Sequence, residues 1–153
     1  MQRRTLIQAA AVAAPFSAIV GAGLLPGRLR AAWPTEAFNA ESLSDAERLL
    51  FGGSPIEDSD RIMIEAPDIA ENGRVVPIDV RIELPEPASL TLLSDANPFP
   101  FLARAYFTPA VSPRLSVRVK MGGSGNVIAI VDAGGGLHRA MRPIKVTSGG
   151  CGG

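Results

Sequence analysis

Between residues 76 and 84 the chain alternates without a break: Val76, Ile78, Val80, Ile82 and Leu84 are apolar, whereas Pro77, Asp79, Arg81 and Glu83 alternate with them. A period of two puts each set on its own side of a β-strand, one side on a core and the other in water. Pro77 has no N–H for a ladder and belongs near a strand end or at an edge. The pattern recurs in Leu115, Val117, Val119 and Met121, set against Arg114, Ser116, Arg118 and Lys120. The loop Gly122-Gly123-Ser124-Gly125-Asn126 follows. Val127 to Val131 then reads as one apolar strand, closed by Asp132 and a Gly134-Gly135-Gly136 turn. Residues 90–93, 101–107 and 137–146 supply further strands, with breaks at Asn97-Pro98 and Pro143. Ile62-Met63-Ile64 is a short apolar segment, and Asn72-Gly73 is a turn signal.

One helix is expected, over residues 42–51. Ser42 with Asp45 makes a capping-box-like start, Leu43, Ala46, Leu49 and Leu50 form its apolar face, and Gly52-Gly53 stop it. About seven short strands, in a chain of 153 residues with 16 glycines and 13 prolines, predict an all-β fold. The expected form is an immunoglobulin-like antiparallel β-sandwich with a short N-terminal helix and a flexible C-terminal arm. A single cysteine excludes the internal disulfide of antibody domains. A barrel is the rival arrangement, and strand number does not separate the two.

The first 32 residues have another character. Arg3-Arg4 precede an alanine-rich apolar run from Ala9 to Leu25, and small residues follow at Ala31-Ala32. A basic start, an apolar middle and a small-residue end make a secretory signal, here of the twin-arginine type. Pro15 and Pro26 interrupt the run, which is shorter than the roughly 20 residues of a membrane span, so no stable membrane insertion is expected. Cleavage is expected after Ala31 or Ala32, although Leu29 or Arg30 then occupies a position that small residues prefer. The domain plan is therefore residues 1–32 as signal peptide, 40–147 as sandwich and 148–153 as arm, with periplasmic localisation. The 15 basic and 15 acidic residues balance. Loss of Arg3, Arg4, Arg28 and Arg30 leaves a net charge of about −4. Neither value favours nucleic acid or an anionic membrane as a partner.

The chain ends Thr147-Ser148-Gly149-Gly150-Cys151-Gly152-Gly153. Two glycines on either side of a cysteine bring no side chain to a core and lose the most backbone entropy on ordering, so the segment is expected to be mobile. Six residues from Ser148 reach about 20 Å when extended. Thiolate sulfur is a good nucleophile and forms S–S bonds. An ordinary thiol has a pKa of about 8.5, and the nearest cation in sequence is Lys145. Activation must therefore come from a partner's pocket, which is the logic of a carrier and not of an enzyme. A lone cysteine in an exported chain otherwise reads as an intermolecular disulfide or an accident. One cysteine and one histidine, His138, make no metal site, and His138 reads as a strand residue, not a catalytic base. No cofactor motif is present.

These residues resemble the SoxY family, the sulfur-carrier subunits of the bacterial thiosulfate-oxidising (Sox) system. The resemblance rests on the twin-arginine start, the β-rich body and the terminal Gly149-Gly150-Cys151-Gly152-Gly153. Three internal stretches add to it: Pro67-Asp68-Ile69-Ala70-Glu71-Asn72-Gly73 with Val75-Val76-Pro77-Ile78, then Asn97-Pro98-Phe99-Pro100, then Val146-Thr147. It implies a heterodimer with a SoxZ-like subunit and transient docking with SoxAX, SoxB and SoxCD-like enzymes. It also implies that thiosulfate-derived intermediates, a persulfide among them, are held on Cys151, with Gly149, Gly150, Gly152 and Gly153 as the slender stem of a swinging arm. Residues 97–107 are the expected region of partner contact. Two other functions stay open. One is a thiocarboxylate carrier using Gly152-Gly153, against which stand the export signal and the lack of a helix crossing the sheet. The other is a structural sandwich that forms a disulfide dimer through Cys151.

Overall fold

The computed structural model describes residues 34–147. The signal segment 1–32 and the tail residues Gly149, Gly150, Cys151, Gly152 and Gly153 therefore lie outside the described residues. In chain order the elements are α1 (Thr35–Phe38), α2 (Leu43–Phe51), β1 (Ile56–Asp58), β2 (Ile62–Glu65), β3 (Ile69–Ala70), β4 (Val76–Ile82), β5 (Pro87–Ser94), β6 (Phe101–Tyr106), β7 (Arg114–Val119), β8 (Gly125–Ala133) and β9 (Gly136–Val146). They build two sheets. The larger runs β1-β9-β8-β5-β6 with β3 also on β9, and the smaller runs β2-β4-β7. This is the expected β-sandwich, consistent with the immunoglobulin-like class.

The alternating segment behaves as its period requires. Val76, Ile78, Val80 and Ile82 of β4 are buried and face Leu90, Leu92, Val127, Ala129 and Val131 of the larger sheet. The intervening Asp79 accepts hydrogen bonds from Arg114 Nη2 (2.8 Å) and Ser116 Oγ on β7. The hydrogen bond from Arg114, then that from Ser116, holds the Asp79 carboxyl below the usual carboxylate range. β8 is apolar without alternation because both its faces are covered. Val127, Ala129 and Val131 point between the sheets, and Ile128 and Ile130 join a second cluster with Leu93 and Phe101 under the two helices. α2 begins at Ser42, whose Oγ accepts from Asp45 N–H (3.1 Å), and ends at Gly52 in the left-handed region (φ 65°). Its apolar face is Leu43, Ala46 and Leu50. Leu49, expected on that face, is exposed instead.

Three further expectations are corrected. Nine strands form among the described residues, not about seven, because β1 and β3 are too short to show a period. Both pair in parallel with β9, so the larger sheet is mixed. The loop expected over residues 122–126 yields Gly125 and Asn126 to β8. The break expected at Pro143 does not occur, and β9 runs through it opposite Asn126. Asn126 turns its backbone away from β9: its N–H donates to Asp95 Oδ1 (2.6 Å) and its carbonyl accepts from Asp95 N–H. The Asn126–Pro143 pair thus needs no hydrogen bond across β8 and β9. On the other side β1 ends opposite Arg139 and β3 begins opposite Lys145, so the missing N–H is not needed there either.

Pro77 is tolerated for the same reason. It lies on β4, the middle strand of the smaller sheet, but beyond Asp79, the last residue of β4 that pairs with β2. Gly134 (φ 59°) and Gly135 (φ 80°) make the tight turn from β8 to β9, where two successive positive φ angles call for glycine. Among the described residues no helix is long and apolar enough to cross a membrane.

Candidate functional site

Cys151 follows Thr147 by four residues, so the structure defines the root from which the cysteine-bearing tail continues. That root is fastened on both sides. Toward β3, Lys145 N–H donates to the Asp68 carbonyl (2.9 Å) and Thr147 N–H to the Ala70 carbonyl (3.0 Å). Toward the β7–β8 loop, Val146 N–H donates to Ser124 Oγ (2.9 Å), and that hydroxyl donates in turn to the Val146 carbonyl (3.3 Å). Ser124 thus extends by one side chain a ladder that ends at the Gly125–Ile144 pair. Arg142 reinforces this edge by donating to Asp68 Oδ1 (2.6 Å).

A second tier holds the loop that carries Ser124. Asp95 takes both the N–H and the side-chain amide of Asn126, at 2.6 and 2.7 Å. Asn97 donates from Nδ2 to the Lys120 carbonyl (2.8 Å) and accepts Gly122 N–H at Oδ1 (2.7 Å). Met121 N–H reaches the Gly73 carbonyl (2.7 Å), and Asn72 Oδ1 caps its own turn by accepting from Arg74 N–H (2.9 Å). Gly125 threads this clasp closely. A Cβ there would stand 2.5 Å from Asp95 Oδ1 and 2.7 Å from Ala96 Cβ.

Gly73 binds Met121, Asn97 clasps Lys120 and Gly122 on either side of Met121, Asp95 holds Asn126, and Ser124 binds Val146, whose neighbour Thr147 binds Ala70. The three internal stretches singled out in the sequence, at residues 67–73, 97–100 and 146–147, therefore meet at one end of the sandwich. Ser124, Gly125 and Asp95 were not singled out for the site, and Asp68 only as one member of the stretch 67–73. The available signal was Ser124 between glycines, a polar residue where a strand begins. A hollow of about 480 Å3, lined in part by Asp68, Ser124, Asn126, Pro143 and Lys145, opens beside the root.

His138 is half-buried on β9 opposite Val131, and its ring makes no hydrogen bond to a described residue. Among the described residues no group of three or more His, Cys, Asp or Glu could hold a metal. Lys145 is exposed beside the root and makes no ion pair with a described residue. Of the expected partner-contact region, Phe101 is buried and stacked on Phe38 (4.0 Å between ring centroids), Phe107 packs on the core, and Asn97 is used internally. Phe99 and Tyr106 are its exposed large side chains.

Residues 47–151 match the family model "Sulfur oxidation protein SoxY", and the matched segment ends on Cys151. Among solved structures, the sulfur carrier protein SoxY from Chlorobium limicola f thiosulfatophilum is similar at 39% identity. The alignment covers 70% of this chain and 97% of that one, with a TM-score of 0.64. A variant superoxide reductase (neelaredoxin) from Ignicoccus hospitalis is similar at 23% identity over 60% of this chain and 94% of that one, with a TM-score of 0.52, which shows a shared fold alone. A search of curated proteins finds no match. With more than half its length matched and a sulfur carrier among its structural relatives, the chain belongs to the SoxY family of sulfur carrier proteins.

Proposed function

We propose that the protein is a non-catalytic carrier in which Cys151 covalently holds thiosulfate-derived sulfur and presents it to separate enzymes. The observation that carries this reading is positional: the chain's one thiol is the last residue of the family match, four residues beyond a root fastened on both sides. Four residues span at most about 14 Å. Tethering at that reach raises the effective concentration of the adduct at a docked active site, while the body stays outside.

The chemistry follows the family's logic. A SoxAX-like cytochrome couples thiosulfate to the Cys151 thiol, forming an S–S bond and releasing one proton and two electrons to the cytochrome. A SoxB-like hydrolase then adds water across the terminal S–S bond, releasing sulfate and a proton and leaving a persulfide on Cys151. Oxidation of that sulfur by a SoxCD-like enzyme and a second hydrolysis restore the thiol. A SoxZ-like subunit completes the carrier. Gly149, Gly150, Gly152 and Gly153 keep the stem thin enough to enter each pocket.

The stem is tested by Gly149→Ala with Gly150→Ala. Added methyl groups narrow the accessible conformations and widen the stem, and misplacement by about 1 Å can cost up to a hundredfold in rate. The expected result is slower turnover in a reconstituted system, by about tenfold or more, with thermal unfolding unchanged. Turnover equal to the parent protein would remove the stem from the account. Export to the periplasm is part of the same proposal and rests on the Arg3-Arg4 start. Arg3→Lys with Arg4→Lys should leave the protein in the cytoplasm on cell fractionation, and undiminished export would refute a twin-arginine route.

A further inference from the structure

We infer that the free edge of β6 (Phe101–Tyr106) is where the partner subunit of the carrier complex adds an extended strand. This rests on the carrier reading above and supplies the surface that reading lacks. β6 ends the larger sheet, and no described element pairs with its outer side. Phe107 N–H donates to the Ala88 carbonyl (2.9 Å), which fixes the phase of the β5–β6 ladder. The pairs Ser89–Tyr106 and Thr91–Arg104 are then the ones without hydrogen bonds to each other. The N–H and carbonyl groups of Arg104 and Tyr106 consequently point away from β5, a row of unpaired donors and acceptors that only another extended backbone complements.

The other edges are blunted. The far side of β9 is covered by β1 and β3. β2 is four residues long. β7 follows Pro113 and carries Arg114 and Arg118, both exposed. β6 has neither proline nor lysine. Its one charge, Arg104, is engaged over the rings of Phe51 (5.7 Å) and Tyr106 (5.5 Å). Tyr106 is 74% exposed and Val111, in the following loop, 57%. Val111 borders a hollow of about 570 Å3 at the end of β6, walled also by Pro87, Phe107, Pro109 and Pro113. That hollow can take an apolar side chain from the strand as it runs past β6. The ladder to β5 slips by one residue at Leu102, near the start of β6. The Arg104–Tyr106 stretch beyond it is an uncovered edge beside an apolar hollow, which fits a permanent companion better than a transient enzyme.

The test titrates the purified SoxZ-like subunit into the protein and its variants. Tyr106→Pro removes an N–H that faces outward and should weaken association by about tenfold to a hundredfold, with thermal unfolding unchanged. Tyr106→Lys puts a charge on the same edge and should act likewise if the proline variant is poorly folded. Arg118→Glu on β7 should bind as the parent does. Normal binding by folded Tyr106 variants would overturn the inference, as would a loss confined to Arg118→Glu. If the Tyr106 variants lose self-association and keep partner binding, a second copy covers this edge and the assignment is wrong. Each variant is also treated with tetrathionate, whose central sulfur the Cys151 thiolate attacks, expelling thiosulfate with the bonding pair. All should take this label equally, and its failure in the parent protein would strike the carrier reading instead of the β6 edge.

Discussion

Cys151→Ser is expected to abolish thiosulfate oxidation in a reconstituted system while leaving the unfolding of the domain unchanged. The loss should be complete, because a serine hydroxyl forms no bond to sulfane sulfur under these conditions and the chain has no second thiol. Stability should hold because the root closes at Thr147, through its N–H to the Ala70 carbonyl, before the cysteine is reached. The outcome also separates the carrier from the disulfide-linked structural sandwich. For the latter, the variant would lose its dimer on a non-reducing gel and leave oxidation untouched. Residual turnover near that of the parent protein would therefore exclude Cys151 as the attachment point.

Gly125→Ala is expected to cost about 2–4 kcal/mol of stability, read from denaturant unfolding. Forcing a methyl group into a filled site costs about 1–3 kcal/mol, and a displaced hydrogen bond about 1 kcal/mol more. Asp95 Oδ1, 2.5 Å from the new Cβ, can swing aside, but then releases Asn126 N–H. Ala96 Cβ at 2.7 Å cannot, because it sits directly on the backbone. Against a typical total of about 5–15 kcal/mol, the loss is large for one methyl group. Protein that remains folded should still accept an adduct on Cys151, since the substitution alters the root and leaves the thiol in place. An unfolding midpoint equal to that of the parent protein would show that the clasp yields without cost.

What sequence patterns conveyed, and what they did not, divides along physical lines. The alternation over residues 76–84 and the unbroken run over residues 127–131 name their own burial, one-sided and two-sided, because side-chain period follows from strand geometry. The Ser42 cap and Gly52 stop are equally local. β1 and β3 carry no such signal. With three and two residues they exist only because β9 offers them an edge. Pro143 misleads for the same reason: whether a missing N–H matters depends on neighbours that local sequence does not contain. Leu49 shows the limit of a helical face, since α2 turns it outward beside buried Ala46. The Gly-Gly-Cys-Gly-Gly terminus is read from the sequence alone and lies outside the described residues. The clasp of Asp95, Asn97, Ser124 and Asn126 was not legible there, because Asp95 and Asn97 come from the β5–β6 loop and Ser124 and Asn126 from where β8 begins, which only the folded sandwich brings together.

The central claim is that sulfur from thiosulfate is carried on Cys151. Its most direct test is intact-mass and peptide mass spectrometry of the protein after incubation with thiosulfate and an oxidising partner extract. The account predicts a gain of one thiosulfate-derived unit, confined to the C-terminal peptide, removed by a thiol reductant and absent from Cys151→Ser. Sulfur found on the Gly153 carboxylate, or no gain in the C-terminal peptide, would contradict it.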